Sequence, residues 1–409
     1  MREIYLDNSA TTRVSDRVAQ IVYHVMTQQY GNPSSLHRKG IEAEKIMRKA
    51  RETIAHALGV KPSEVYFTSG GTESNNLAIK GTAYSMRRMG NHLITTSVEH
   101  PSVLDTFKQL EKEGFCVTYL GVNKEGFIEL DELQKALRKD TILVSIMYVN
   151  NEVGSIQPVE EAADHIHRNK NTIFHVDAVQ ALGKIPLVPA LKGIDMLSIS
   201  GHKIYGPKGI GALFVRENVK LYPIFNGGGQ ERGIRSGTEN VPGIAGFGAA
   251  VEDAMNSLFE WRRTMEELKN RLCRRILEEI PDTVLNGPRG DYSRALEKNS
   301  LSSDAEGFSA SINVHDAAPH ILNISFLGVR GEILLHSLES HGIYVSTGSA
   351  CSSNKSGKSH VLSAMGKTAE EIDGAIRFSL SPFLTLEDID YTVEILKKEV
   401  AEIRKFVRR

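Results

Sequence analysis

Two side chains suited to cofactor chemistry follow successive apolar runs of this chain. Asp177 closes one run, in His175-Val-Asp-Ala-Val-Gln180, and Lys203 follows the next, in Ser200-Gly-His-Lys203. Enzymes that use pyridoxal phosphate (PLP) need such a pair, because a lysine amine holds the aldehyde as a Schiff base and an aspartate keeps the ring nitrogen protonated. The two motifs therefore predict a PLP site.

Both residues also have ordinary structural interpretations. Asp177 could cap a following helix, but a carboxylate buried at the end of an apolar run is costly unless something pairs with it. Most lysines are solvated surface groups, yet Lys203 precedes the crowded stretch Ile204-Tyr-Gly-Pro-Lys-Gly-Ile-Gly211. The context favours the cofactor interpretation, and Lys208, inside the Gly/Pro turn, is expected to be exposed.

Three further features extend the predicted site. Thr68-Ser-Gly-Gly-Thr72 follows a strand-like run and opens a helix, which suits phosphate binding, although such a sequence is more often only a turn. Ser200 and His202 flank Lys203 and form a second cluster suited to phosphate. His100, just before Pro101, could stack on a flat ring and move protons, although an isolated histidine is more often structural.

The cysteines divide into two kinds. Cys116 lies in a β-type run and is predicted to be in the core, and Cys273 lies in a helical stretch with a structural role. With no Cys-x-x-Cys pair, the sequence predicts neither a disulfide framework nor a zinc site, and no metal is expected. Cys351, in Gly348-Ser-Ala-Cys-Ser-Ser, would be incidental by itself. Beside a PLP site it is predicted to be a nucleophile.

The composition sets limits on the class of protein. A chain of 409 residues is longer than one compact core usually holds, so two domains are expected. A net charge of −1 argues against charge-driven binding to nucleic acid or to membrane surfaces. No apolar run is long enough to span a bilayer, and the N-terminus has no apolar signal core. A cytoplasmic protein is therefore expected.

Between residues 61 and 215, apolar runs alternate with helical patterns. The predicted strands are Val65–Phe67, Leu93–Thr95, Val117–Leu120, Ile142–Met147, Ile173–Val176, Met196–Ile199 and Ala212–Val215. This alternation predicts an α/β fold with a mostly parallel, seven-stranded sheet flanked by helices. Because ligands bind outside the carboxyl ends of such strands, one crevice could gather the residues described above.

The rest of the chain predicts a smaller domain. We expect an N-terminal segment over residues 1–15 that joins it, a large domain over 16–255 and a small α+β domain over 256–409. One long helix is predicted over about 243–280, and Ser15 is expected to cap the first helix. The stretch 286–319, rich in Ser, Asp, Gly and Ala, predicts a surface insertion. His315 and His320 near its end lack the spacing of metal ligands.

Many of these motifs, in the same order, resemble those of cysteine desulfurases of the NifS/IscS type, in the class V aminotransferase group of fold-type I PLP enzymes. The resemblance rests on Tyr5–Thr12, Gly31–Ser34, Thr68–Asn75, Glu99-His100, Val149–Glu152, His175–Gln180, Ser200–Gly211, Gly227–Thr238, Ser346–Cys351 and Ile376–Ser379. This chain departs from the family in the length of 286–319 and at Gly71, where alanine is expected. The loop should tolerate glycine there.

The resemblance implies a role for each matching residue. Lys203 matches the Schiff-base lysine, Asp177 the partner of the ring nitrogen and His100 the residue stacked on the ring. The other matches are Asn151 and Gln180 near the ring hydroxyl, Gly71, Thr72, Ser200 and His202 at the phosphate, Thr238 at the phosphate from the other subunit of a homodimer, and Arg377 and Asn32 at the substrate. A planar guanidinium such as that of Arg377 suits a substrate carboxylate.

The implied activity is the removal of sulfur from L-cysteine, which gives L-alanine and a persulfide on Cys351. Lys203 would shuttle the α-proton, and His100 would be the base for the thiol. A sulfur-acceptor protein, such as an iron–sulfur scaffold or a tRNA-thiolation enzyme, would take the sulfur, with no direct nucleic-acid or membrane partner.

Two alternative enzymes on the same fold remain open. They are a selenocysteine lyase and a class V aminotransferase, and Cys351 argues against the second because transamination needs no thiol. A sulfur-relay scaffold without catalysis is the non-enzyme alternative. The complete set of residues, including Lys203 and Asp177, argues against such a scaffold.

Overall fold

The computed structural model describes residues 2–169, 171–189, 192–288, 317–347 and 358–407. Its strands are β1 (Ile4–Tyr5), β2 (Val65–Thr68), β3 (His92–Thr96), β4 (Cys116–Leu120), β5 (Thr141–Met147), β6 (Ile173–Asp177), β7 (Met196–Ser200), β8 (Gly211–Val215), β9 (Thr283–Asn286), β10 (Ile321–Phe326), β11 (Ile343–Tyr344) and β12 (Ala375–Ser379). Seven of them form one sheet in the order β2-β8-β7-β6-β5-β3-β4. All neighbours in this sheet are parallel except β8 with β2 and β7. The predicted α/β fold with a mostly parallel, seven-stranded sheet is confirmed.

Helices connect the strands and cover the sheet. They are α1 (Asp16–Gln28), α2 (Arg38–Leu58), α3 (Gly71–Met86), α4 (Pro101–Lys112), α5 (Leu130–Ala136), α6 (Val159–Ile166), α7 (Val241–Asn256), α8 (Leu258–Glu279), α9 (Gly331–Ser340), α10 (His360–Ala364), α11 (Ala369–Asp373) and α12 (Leu386–Val407). Ser15 caps α1 as predicted, because its side chain accepts the Val18 N–H. The single long helix predicted over 243–280 is wrong. The chain leaves helical geometry at Ser257, with φ −110° and ψ 7°, and two helices result.

The buried apolar side chains alternate between the two faces of the large sheet. On β8, for example, Phe214 packs into the core that includes α2, α6 and α7, whereas Leu213 packs into the core under α3 and α4. Cys116 does not follow the prediction of a core position. It is exposed on β4, which is an edge strand and is covered less completely than the central strands.

A second core forms around the three-stranded antiparallel sheet β12-β10-β9 and helices α8, α9 and α12. The N-terminal segment joins this core, because Ile4 pairs with Ile343 in a parallel ladder between β1 and β11. Both bounds of the surface insertion predicted over 286–319 are wrong. Asn286 lies in β9 with its side chain buried, and the buried Ala317 pairs with Ser155. Residues 289–316, which include His315, lie outside the described residues.

Within the described ranges, no helix is long and apolar enough to cross a membrane. The same ranges contain no group of three or more His, Cys, Asp or Glu side chains arranged to hold a metal ion.

Candidate cofactor site

Asp177 and Lys203 lie at the same edge of the large sheet. Asp177 is the last residue of β6, and Lys203 belongs to a short 3₁₀ turn that follows β7. These two strands are parallel neighbours, so their carboxyl ends open onto one crevice. The Lys203 ammonium donates to the carbonyl of Ala10 at 2.7 Å and also to that of Ser9. The competing Lys208 is exposed, as predicted.

The Asp177 carboxylate is buried, with 6% of the residue exposed. Its Oδ1 accepts the Val179 N–H at 3.0 Å, and its Oδ2 accepts from Asn75 Nδ2 at 2.7 Å. The chain after Asp177 forms turns and not the helix that an N-cap would begin. Asp177 therefore combines the local backbone contact of a cap with a buried charge that a cationic ring nitrogen could pair with.

His100 is linked to Asp177 through two side chains that the sequence interpretation missed. Ser102 Oγ lies 2.8 Å from His100 Nδ1 and accepts from Asn75 Nδ2 at 2.9 Å. Asn75 lies one turn into α3 and ends the stretch Thr68–Asn75 on which the family resemblance partly rests, but the sequence analysis gave it no role.

The protonation of His100 follows from its contacts. Its Nδ1 accepts the backbone N–H of Ser102 at 3.1 Å, so the neutral ring carries its proton on Nε2. Burial lowers the pKa of His100, and the positive charge of Lys203 lowers it further against the opposing effect of Asp177. The structure therefore favours a neutral imidazole that donates from Nε2.

The glycine-rich turn and the end of β7 form a cradle for an anion. Gly70, with φ 148°, precedes α3, and no side chain within the described part of the chain caps this helix. A Cβ placed on Gly70 would lie 3.9 Å from Ser200 Oγ. That hydroxyl is buried and has no hydrogen-bond partner among the described residues. Thr72, in the first turn of α3, is exposed and able to contribute.

His202 lies two residues after Ser200, in the turn that follows β7. Burial lowers its pKa to about 4, with further lowering by Lys203 and Lys208. Its Nδ1 lies 3.2 Å from Thr11 Oγ1. The unpartnered Ser200 hydroxyl, the uncapped helix end and the nearby lysine amine are the donors that a phosphate ester carrying an aldehyde requires. The donors therefore fit PLP.

Gly71 fits its surroundings more tightly than the sequence suggested. A Cβ at this position would lie 2.6 Å from Val179 Cγ2. Alanine at this position would therefore press on the Val179 side chain, which gives glycine a packing advantage in this chain.

Gln180 contributes its side chain to the site, whereas Asn151 contributes its backbone carbonyl. Gln180 donates from Nε2 to the Ser9 carbonyl at 3.0 Å, and its Oε1 lies 3.3 Å from Nε2 of the buried His320. The Ser9 carbonyl also accepts from Lys203, so these contacts tie Gln180 to the lysine. Asn151 contributes its backbone carbonyl, which accepts from Arg377 Nη1 at 3.1 Å. His320 was not predicted as a site residue.

Arg377 brings a buried guanidinium to the crevice from the smaller sheet. It lies in the middle of β12 and is 1% exposed. Its Nη2 donates to Asp7 Oδ1 at 2.7 Å. No position in the sequence indicated this partner, because Asp7 lies 370 residues away along the chain.

Two predicted site residues lie apart from this cluster in the single chain. Asn32 is exposed, and its side-chain oxygen accepts the Ser34 N–H within its own loop. Thr238 is exposed and lines a surface pocket with Ser69 and Arg235, whereas the cradle donors do not line that pocket. Arg235 pairs with Glu73 Oε1 at 2.7 Å.

Cys351 lies outside the described residues, but the chain on both sides of it is fixed at the crevice. Before it, the backbone of Ser346 exchanges two hydrogen bonds with that of Arg377, one in each direction. After it, Ser359 donates to the buried Glu152 at 2.5 Å, and His360 Nε2 lies 2.9 Å from the Glu99 carbonyl. Burial raises the pKa of the Glu99 carboxyl to about 8.

The family model "Aminotransferase class-V" matches residues 4–295 and 294–392. A protein named cysteine desulfurase IscS from Dictyoglomus turgidum is 44% identical over 403 residues, covering 98% of this chain and 96% of its own. A solved structure described as a NifS-like protein is 40% identical, with a TM-score of 0.87 over 98% of this chain and 100% of that one. A second structure, described as SspA in complex with cysteine, is 35% identical, with a TM-score of 0.76 over 93% and 100%.

Proposed function

This chain belongs to the class-V aminotransferase family, and we propose that it is a cysteine desulfurase that uses PLP to remove sulfur from L-cysteine. The observation that carries the proposal is how the structure links three charged groups. Asp177 ends β6 beside β7, which leads to Lys203, and one short segment carries both the Ala10 carbonyl that accepts from Lys203 and the Asp7 carboxylate that accepts from Arg377. A full-length relative named a cysteine desulfurase and a similar protein solved with cysteine support it.

Different residues of the crevice would hold different parts of the cofactor. When bound, PLP supplies an electron sink for the charge that develops at the α-carbon of an amino acid. Lys203 would hold the aldehyde, and Asp177 the protonated ring nitrogen. Ser200, His202 and the N-terminus of α3 would hold the phosphate.

His100 has a more restricted role in this proposal than the sequence suggested. Its Nδ1 already accepts the backbone N–H of Ser102, so a base function at Nε2 would require the other tautomer and the loss of that bond. We assign His100 as a hydrogen-bond donor from Nε2 and as a flat surface for the ring. Lys203 is then the group that moves the α-proton.

Cys351 is the proposed acceptor of the sulfur. Cys351 would react as its thiolate: an S–S bond forms with the substrate sulfur and the substrate C–S bond breaks. The β-carbon gains one proton for the one that the thiol has lost, so the products are a persulfide on Cys351 and L-alanine. Ser346 is fixed at Arg377, and five residues of chain reach at most roughly 18 Å, which is enough to bring a thiol to the crevice. The persulfide sulfur would pass to a second protein, an iron–sulfur scaffold or a tRNA-thiolation enzyme.

We also propose a homodimer. Large apolar side chains are exposed along α1 and the chain that follows it, including Tyr23 at 71%, Met26 at 61% and Leu36 at 97%. An apolar face of this kind is typical of a surface buried in an assembly. In such a dimer, we propose that the exposed Thr238 contacts the phosphate in the cradle of the other subunit, as the family resemblance implies. Sedimentation of wild type and of Leu36→Asp tests the proposal, with a monomeric wild type as the contrary result.

The function is tested by measuring alanine released from L-cysteine in the presence of a reductant. Wild type and the matched variant Cys116→Ala, which removes an exposed thiol elsewhere, should release alanine at similar rates. Cys351→Ala should release almost none. Equal rates in Cys351→Ala would remove this thiol from the mechanism and favour a lyase. A protein that shows the cofactor absorbance but releases no alanine would favour transamination.

A further inference from the structure

Arg377 already has one carboxylate bound. Its Nη2 donates to Asp7 Oδ1 at 2.7 Å, and its Nη1 donates to the Asn151 carbonyl at 3.1 Å. The remaining nitrogen, Nε, is buried and has no hydrogen-bond partner among the described residues. The guanidinium is therefore held by two protein groups, and its Nε–H has no acceptor among the described residues.

A second carboxylate on this guanidinium would meet the charge of the first. A guanidinium offers five N–H donors in a planar fork, so the edge that carries Nε can still accept a carboxylate while Asp7 stays on Nη2. One buried cation would then serve two anions, and their mutual repulsion would weaken the binding of the incoming one.

The backbone holds Asp7 in place from both sides. Asp7 forms a bridge with Ser379 of β12. On one side of it the Leu6 N–H donates to the Tyr344 carbonyl at 2.8 Å, and on the other the Ser9 N–H donates to Ser379 Oγ at 2.8 Å. Because these contacts fix the backbone on both sides of Asp7 and none of them involves Lys203, we expect the Asp7 carboxylate to stay beside Arg377 when another anion enters.

We propose that Asp7 is a resident counter-ion of Arg377 that limits how tightly the site holds the carboxylate of an amino acid. The inference rests on the proposed function, because it takes Arg377 as the group that binds the substrate carboxylate. Asp7 is a positioning residue here and does not touch the reacting atoms. Moderate affinity has a chemical use, since product alanine carries the same carboxylate as the substrate and must leave.

The test is Asp7→Asn, which keeps an oxygen acceptor for Nη2 and removes the charge. In the PLP-loaded enzyme, L-alanine binding, followed through the cofactor absorbance, should tighten roughly fivefold or more. Alaninol, which lacks the carboxylate, should bind both enzymes equally. Asp16→Asn is the matched control, because Asp16 is an exposed acid paired with Arg13. Without ligand, Asp7→Asn should melt at a lower temperature than wild type and gain more from L-alanine.

Unchanged or weaker binding of L-alanine by Asp7→Asn would overturn the proposal, as would an equal change for alaninol. Asp7→Ser, a second neutral acceptor, replaces Asp7→Asn if that variant does not fold. The two proposals fail differently. If wild type binds L-alanine but releases no alanine from L-cysteine, only the desulfurase proposal is refuted. If Asp7→Asn turns over L-cysteine normally and its affinity for L-alanine is unchanged, only the counter-ion proposal is refuted.

Discussion

Alanine at Gly71 should create a packing conflict between two elements of the cofactor site. A Cβ at this position would lie 2.6 Å from Val179 Cγ2, well inside the usual carbon–carbon contact of about 3.5–4.0 Å. Gly71 is the first residue of α3, beside the phosphate cradle, and Val179 follows Asp177 by two residues. We therefore expect Gly71→Ala to be destabilising, although alanine is the residue that the family resemblance leads one to expect.

The magnitude follows from two opposing effects. Overpacking of this kind costs about 1–3 kcal/mol of unfolding free energy. Gly71 does not have a positive φ, so alanine also gains up to about 1 kcal/mol by restricting the unfolded chain. Adding Val179→Ala removes the conflict and leaves the gain. The coupling free energy between the two substitutions should therefore be about 1–3 kcal/mol in favour of the double variant.

A double-mutant cycle measured by urea unfolding checks this reasoning, with PLP affinity as a second readout. The cycle compares wild type, Gly71→Ala, Val179→Ala and the double variant. Gly121→Ala serves as the matched control, because a Cβ there meets no atom within 4 Å. Additive effects, with a coupling below about 0.5 kcal/mol, would refute the conflict.

Three further variants test other buried contacts by urea unfolding. Glu231→Ala removes a carboxylate that accepts two hydrogen bonds from Arg51, at 2.9 and 2.7 Å; it should cost about 3–5 kcal/mol, and a loss below 1 kcal/mol would contradict this. Burial lowers the pKa of Lys184 from 10.5 to about 7. Between these pH values Lys184 is protonated in the unfolded chain and largely neutral in the folded protein, so the free energy of unfolding of wild type should rise with pH across this window. Lys184→Met should thus stabilise the protein by about 2–4 kcal/mol at pH 7, with the gain shrinking by pH 9; a constant gain would be the contrary result. Asn75→Ala loses the 2.7 Å bond to Asp177 and should cost about 1.5–3 kcal/mol. The loss should exceed that of its control Asn76→Ala, whose amide donates only to backbone carbonyls, of Thr72 at 3.0 Å and of Ser102 at 3.5 Å; equal losses would contradict this.

Local signals in the sequence were sufficient to locate the strands of the large sheet and the residues that follow them. Alternation and apolar content depend on which side chains a segment must bury, and this information lies within a few neighbouring residues. Asp177 and Lys203 could be assigned together for the same reason, since both follow apolar runs. The Ser15 cap is also a contact between near neighbours, at Val18.

Contacts between distant segments required the tertiary structure. The pairing of β1 with β11 and the ion pair of Asp7 with Arg377 depend on chain closure over hundreds of residues, which leaves no local pattern. The strand order of the large sheet likewise depends on contacts between separate segments, such as β2 with β8. The exposure of Cys116 follows from the edge position of β4 and not from its apolar neighbours. The sequence alone therefore located the strands of the large sheet and the residues that follow them, but it did not show the break between α7 and α8 at Ser257. Only the fold decided which side chains meet, because packing and charge pairing act between residues that the chain order keeps apart.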